Sequence, residues 1–413
     1  MDQPVKLNKM SNESNQKGIA LMLGGGAPNL TLMSGAIAAL DEEMKKSGLE
    51  FSVVSTAGAG MVVGLLYAAP KGMTRREALE STKNMGVHDS IYNLFPVNYK
   101  VFHKSGPLAE AYTQFLASLP KMPMMDSPSG KFFNDWMALM LSAMCPDTVD
   151  PGAQGLCQPA PWIEEVVDFD KLKDFPADFY INAYNVTDQL MESFSKQEIT
   201  PDHFHAALAF PLIYAPFKMN GKTYIEGSAM DTQNFEALTT RREALDKNGE
   251  KSKKVDTLIV LDVLGREKLI REPRNLYDAW VLSIIVPLVA IARDDIRLFQ
   301  YVHNQDKKWN LLRVNLTKDI TEDRWPHVLD WSRSNLDYLF DVGYKAGKRF
   351  FKDAWDENQE MENFKEWVPY TETEKAKMKD TAEKEEGRFV SRPKKPSNQS
   401  GKAAAPRAPK QKN

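Results

Sequence analysis

Two short apolar runs, each closed by small residues and followed by a helical pattern, constrain this chain more than any other feature. The first is Ile19-Ala20-Leu21-Met22-Leu23, stopped by Gly24-Gly25-Gly26; apolar residues then recur at helical spacing (Leu32, Ile37, Leu40) over residues 30–46, up to Gly48. The second covers residues 51–54. It runs into Thr56-Ala57-Gly58-Ala59-Gly60 and a helical stretch over 61–69, closed by Pro70. A continuous apolar run of this length, without alternation, fits a strand buried on both faces. Strand, tight turn and helix, repeated, predicts an α/β fold with parallel strands and crossover helices.

At 413 residues the chain has room for one large domain or two ordinary ones. Its 42% hydrophobic and 26% charged residues match a globular protein with an ample core. The formal charge of −3 supplies no basic field, which argues against a nucleic-acid partner. Cys145 and Cys157 have no CxxC partner and no nearby histidine at ligand spacing. They are expected to be reduced thiols, and no metal or cofactor is implied. Residues 1–17 are polar without an apolar core, so they read as a disordered lead-in and not as a secretory signal. The most apolar run, 279–292, contains Pro287 and is followed by Arg293, Asp294 and Asp295. It is too short for a bilayer span and is expected to be a buried helix; an interfacial anchor is the alternative. These features predict a cytoplasmic protein without a transmembrane helix, with peripheral membrane association as the variant.

Residues 121–162 interrupt the α/β pattern. Met122, Met124, Met125, Met137, Met140 and Met144 cluster there with Phe132, Phe133 and Trp136. This reads as a helical insertion that either packs its Met face into the core or caps a site for an irregular apolar ligand. Strand-like text resumes at 179–184, 191–194, 224–225 and 257–263, and helical text at 276–302 and 328–356. A helical extension is expected over 353–370. From 371 to 413 the chain is charged, then rich in Lys, Arg, Pro and Ala, with no acidic residue beyond Arg388. Such a composition predicts a disordered basic tail.

Three segments carry chemistry. Gly24, Gly25 and Gly26 lie between a strand and a helix, where backbone N–H groups can converge on an anion or a developing oxyanion. The segment does not match G-x-G-x-x-G, because Asn29 takes the third glycine's place, and it lacks the P-loop lysine. With no acidic ribose partner either, a nucleotide site is disfavoured. Residues 53–64 have the form of a nucleophile elbow: strand, sharp small-residue turn, helix. The third segment, from Ala206 to Asp231, reads as a helix end, an extended stretch broken by Pro211 and Pro216, a hairpin turn at Asn220-Gly221, and a strand ending in Glu226-Gly227-Ser228.

In this order, the three segments resemble the patatin-like phospholipase family. That family has a glycine-rich oxyanion loop, a G-x-S-x-G elbow and a D-G-G/A motif after a hairpin strand, its Ser and Asp forming a catalytic dyad. Residues 179–194 resemble the strand before its third motif, and 341–351 resemble its C-terminal helix. The resemblance spans about residues 18–352. It implies a three-layer α/β domain with a mostly parallel sheet, and a lipid acyl hydrolase acting on acyl lipid at a membrane surface without a cofactor. It also implies that Gly24, Gly25 and Gly26 supply oxyanion donors and that Thr56 and Gly60 flank the elbow.

The chain departs from the pattern at the reacting positions. Gly58 stands at the nucleophile position, Glu226 at the dyad acid, Ser228 at the following glycine, and Pro28 and Asn29 at the family's basic residue and glycine. Covalent acyl transfer needs a hydroxyl or thiol at the apex, and glycine has none. Ser55 is the substitute nucleophile that the elbow sequence offers, several ångströms from the apex. Two outcomes stay open: weak hydrolysis with Glu226 as general base towards water, or a non-catalytic member binding lipid or protein in the same cleft. His203 and His205 read as surface or helix-capping residues, and Asp188 and Asp231 as turn carboxylates.

Overall fold

The computed structural model describes residues 18–26, 29–119, 127–146, 153–160, 162–250, 254–261, 263–264, 269–305, 309–314 and 316–352. The lead-in, the 353–370 extension, the basic tail, Pro28, Met122, Met124 and Met125 lie outside them.

The strands are β1 (Gly18–Leu23), β2 (Val53–Thr56), β3 (Gly155–Cys157), β4 (Asp178–Asn185), β5 (Leu190–Ser195), β6 (Leu212–Tyr214), β7 (Phe217–Met219), β8 (Lys222–Glu226), β9 (Val255–Leu261) and β10 (Asn310–Arg313). The helices are α1 (Leu30–Lys46), α2 (Ala59–Ala68), α3 (Arg75–Ser81), α4 (Asp89–Tyr92), α5 (Pro107–Ser118), α6 (Pro128–Met144), α7 (Ile163–Val166), α8 (Phe169–Leu172), α9 (Pro201–Leu208), α10 (Phe235–Lys247), α11 (Leu276–Leu298) and α12 (Arg333–Phe350). The main sheet runs β10-β9-β1-β2-β4-β8-β7, with β5 also paired to β4. The first five are mutually parallel and β8 is antiparallel to β4. This is a three-layer α/β architecture with a mostly parallel sheet between helices. Leu21, Leu23, Val54 and Ile259 are fully or almost fully buried, as the continuous apolar runs require.

The register of β4 positions the chemistry. Thr56, the last residue of β2, pairs with Ile181, and Glu226, the last of β8, pairs with Ala183. Since β5 occupies the opposite flank of β4 at both places, β2 and β8 share one flank. They run in opposite directions and meet end to end. The β7–β8 turn is the expected one: Asn220 and Gly221 both have positive φ, 52° and 75°, as a two-residue hairpin of this kind demands.

α1 and α12 pack backbone to backbone. A Cβ on Gly35 would overlap Phe340 O, one on Gly343 would overlap Leu32 O, and one on Gly347 would sit 2.7 Å from Ala36 O. Glycine at these positions allows the close approach. Tyr344 and Lys348 then reach Glu42 at 2.6 and 2.9 Å.

Two expectations change. α11 spans 23 residues, because Asn275 caps it by accepting from the Asp278 N–H at 2.9 Å, and Pro287 is accommodated within it. With the following turn to His303 it is long and apolar enough to cross a membrane by length and composition, and a third of its apolar window is buried. Burial follows one stripe, Leu282, Ile285, Leu288, Val289, Ala292 and Ile296, at the spacing of a helix packed on one side. In the insertion, α6 buries its methionines only in part: Asp135 and Leu139 are buried and Met140 packs half-buried against the core, while Met144 is exposed and Phe132, Phe133 and Trp136 are partly open. Asp135 ties the insertion down by accepting from the His88 N–H at 2.7 Å and pairing with Lys100 Nζ at 2.6 Å. Cys145 and Cys157 form no disulfide.

Candidate active site

The glycine loop leaves the C-terminal end of β1 and the elbow leaves that of β2, the crevice where open α/β sheets carry their ligands. Gly58 sits at the apex with φ 48° and ψ −130°, and its peptide opens α2. That conformation is one that residues with a Cβ rarely adopt, and it is the strained turn of an elbow. Gly58 therefore has the elbow backbone without the side chain.

The space a side chain would take is filled. A Cβ on Gly58 would overlap Glu226 Oε1 and lie 2.5 Å from Ser228 Oγ and 2.9 Å from Ser228 Cβ. Ser228 belongs to the short turn Gly227–Ala229, and its hydroxyl donates to Glu226 Oε1. On its other side Ser228 meets the glycine loop, since a Cβ on Gly25 would lie 3.2 Å from Ser228 Oγ. Elbow, glycine loop and third segment thus converge on one carboxylate and one hydroxyl. Burial raises the Glu226 pKa to about 7, against the opposing effect of the Ser228 hydrogen bond.

The three glycines are not equivalent. Gly24 N–H donates to Leu261 O at 3.3 Å and Gly25 N–H to Thr232 O at 3.2 Å. Among the described residues, the N–H groups of Gly26 and Ala59 have no backbone acceptor. Both residues line the adjacent cavity, and Ala59 is the first residue of α2, where the helix dipole favours negative charge. Gln233 is fully buried, its amide nitrogen 2.6 Å from where a Gly24 Cβ would be, and among the described residues neither amide atom has a hydrogen-bond partner.

Ser55 is placed away from this chemistry. It is fully buried and donates to Asn234 O at 3.0 Å, while Asn234 Nδ2 donates to Thr56 O at 3.3 Å. The Thr56 hydroxyl is engaged with Tyr180 O at 3.0 Å. Gly60 packs against the β1 end, where a Cβ would lie 2.5 Å from Gly24 O. Asp231 accepts from the Gln233 and Asn234 N–H groups at 3.0 and 2.8 Å, a turn carboxylate whose burial raises its pKa. Asp295 of α11 accepts from the N–H and hydroxyl of Thr232, both at 2.7 Å. His203 caps α9 through Thr200.

A cavity of about 120 Å³ opens beside these groups. Gly26, Ala59 and Glu226 reach it from the three segments; Val62, Phe102, Trp162, Ile284, Leu288 and Trp331 supply much of its apolar wall. Among the described residues, none from α6 lines it. A larger polar groove at the other end of the strands, lined by Gly18, Ser52, Asp178 and Arg241, holds none of the motif residues. Among the described residues no group of three His, Cys, Asp or Glu side chains could hold a metal ion.

Residues 21–239 match the model of the patatin-like phospholipase family, more than half of the chain. The chain belongs to that family. Among solved structures, this patatin-like protein is similar to VipD from Legionella pneumophila, at 14% identity over 81% of this chain and 66% of that one, with a TM-score of 0.35. It is also similar to the type III effector protein ExoU, at 14% identity over 79% of this chain and 53% of that one, with a TM-score of 0.25. The patatin-like chain thus spans slightly under two thirds and about half of these two proteins. Comparison with curated proteins found no match.

Proposed function

We propose that this patatin-like protein takes the acyl chain of a lipid ester into the apolar cavity and hydrolyses the ester, with Glu226 as general base. One observation carries the reading: glycine loop, elbow helix and carboxylate from three distant segments line the same cavity. Acyl chain, carbonyl and base need that adjacency. The Gly26 and Ala59 N–H groups suit a carbonyl oxygen gaining charge. A base with a pKa near 7 is matched to neutral pH. The substrate would be presented at a lipid surface from the cytoplasmic side, and no metal or cofactor has a part.

The test is turnover of p-nitrophenyl acyl esters and of phospholipid vesicles by the full chain, beside Glu226→Gln. Wild-type turnover should rise with pH through about 7 as Glu226 ionises, and the variant should lose roughly a hundredfold or more. A second reading, acyl-lipid binding without turnover, is favoured by the missing elbow side chain. Quenching of Trp162 and Trp331 fluorescence by a bromo-fatty acid, with no ester cleavage, would select it.

A further inference from the structure

The elbow has the backbone of a nucleophile's seat and no nucleophile, while a hydroxyl lies within reach of that seat. Ser228 Oγ is 2.5 Å from the Cβ position of residue 58 and 3.2 Å from that of Gly25. It donates to the carboxylate that faces the cavity. Gly58 and Ser228 are complementary: with a side chain at 58, Ser228 Oγ could not be where it is. Glycine and serine stand exchanged between the elbow and the third segment, where serine and glycine respectively would complete the family pattern.

We propose that Ser228 is the nucleophile of this site and that Glu226 is its base. The proposal rests on the hydrolytic reading above and replaces its water attack by a covalent route. As Ser228 Oγ bonds to the ester carbonyl carbon, its proton passes to the Glu226 carboxylate. The carbonyl electron pair moves onto oxygen, on the side of the cavity that Gly26 and Ala59 line with Glu226. Collapse breaks the bond to the alcohol, which leaves with the proton from Glu226, and the acyl group stays on Ser228. Water then attacks the acyl carbon, gives a proton to Glu226, and the carboxylic acid departs as that proton returns to Ser228 Oγ. The net change is ester plus water to acid plus alcohol.

The geometry explains the acid as well. Glu226 and Ser228 are separated by one residue in a tight turn, and the Glu226 carboxylate lies over the elbow apex and meets the hydroxyl there. The neighbouring turn is fixed by Asn182 Nδ2 donating to Asp231 O at 3.1 Å and by Asp295 holding Thr232, so the pair is held on a supported segment.

Treating the full-length protein with a fluorophosphonate probe and mapping the adduct by mass spectrometry tests this without a variant. The expected adduct is on Ser228. Ser228→Ala should abolish labelling and reduce ester turnover about a thousandfold, while Ser228→Cys, close in size, should place a thiol that iodoacetamide alkylates at position 228. In the double variant Gly58→Ser/Ser228→Gly the label should move to position 58. If Ser228→Ala keeps full turnover that Glu226→Gln removes, Ser228 is not the nucleophile and the water route of the hydrolytic reading stands. An adduct on Ser55 or elsewhere overturns the assignment alone. A wild-type protein with neither adduct nor turnover overturns both readings.

Discussion

Glu226 holds its proton at a pH where an exposed carboxylate has lost it. The unfolded chain releases that proton near pH 4.5 and the folded one near 7, because burial disfavours the charge. Between these values the folded state binds more protons, so the stability contribution is full below pH 4.5 and is lost as pH rises through 7. The shift corresponds to roughly 3 kcal/mol, and Asp231, also raised by burial, adds in the same direction. Denaturant titrations at pH 5 and pH 8 should show wild type losing stability and Glu226→Gln losing much less; equal losses would place the proton elsewhere. Gly58→Ser should not simply complete the dyad. It brings a side chain into a positive-φ turn and into contact with Glu226 and Ser228, and should lower stability by about 2 kcal/mol. Adding Ser228→Gly should recover part of that loss in melting experiments. The glycine loop and the elbow were readable in the sequence as small-residue turns after strands, and Glu226 as the end of one. Ser228 was readable as a substituted glycine only. Its meeting with Gly58 depends on the β4 register and on a void that Gly58 leaves, and neither is a local property. Gln233 gave no signal for the same reason.

At the scale of elements, the main parallel strands were legible because a strand buried on both faces must be apolar throughout. β10 was not, being four residues with a terminal Asn and Arg. The helical stretch at 276–302 was legible and is α11 with the turn that follows it; the apolar run 279–292 marks only its middle, and its start is fixed by polar groups. Asp278 is buried and takes a two-pronged hydrogen bond from Arg271, at 2.6 and 2.7 Å, plus the Arg274 N–H at 2.9 Å. Arg274 also spans to Asp330, ahead of α12, at 2.6 Å. Burial opposes ionisation of Asp278, but these donors prevail and bring its pKa down to about 2. Asp278→Ala leaves two guanidinium groups short of a partner and should reduce stability by about 3 kcal/mol. An unchanged melting temperature would show that the clamp does not hold α11.

For the whole molecule, one side of α11 completes the cavity and the other remains apolar and open, with Leu276 87% exposed and Leu298 also outward. Ile284→Trp, on the cavity wall, should raise KM for long-chain esters about tenfold with kcat little altered. A fall in kcat alone would mean that the acyl chain lies elsewhere. The backbone contact between α1 and α12 bears on how the chain is made. Tyr344 and the Glu42 it reaches are 302 residues apart. At translation rates of about 5–20 residues per second, α12 follows α1 from the ribosome by roughly 15–60 s. Throughout that interval the α1 surface around Leu32 and Ala36 lacks its native cover, and the helix behind the glycine loop cannot take its final seat. Completion of the candidate crevice is therefore a late, long-range event in biosynthesis, and nascent chains halted before residue 343 should be the ones that chaperones retain.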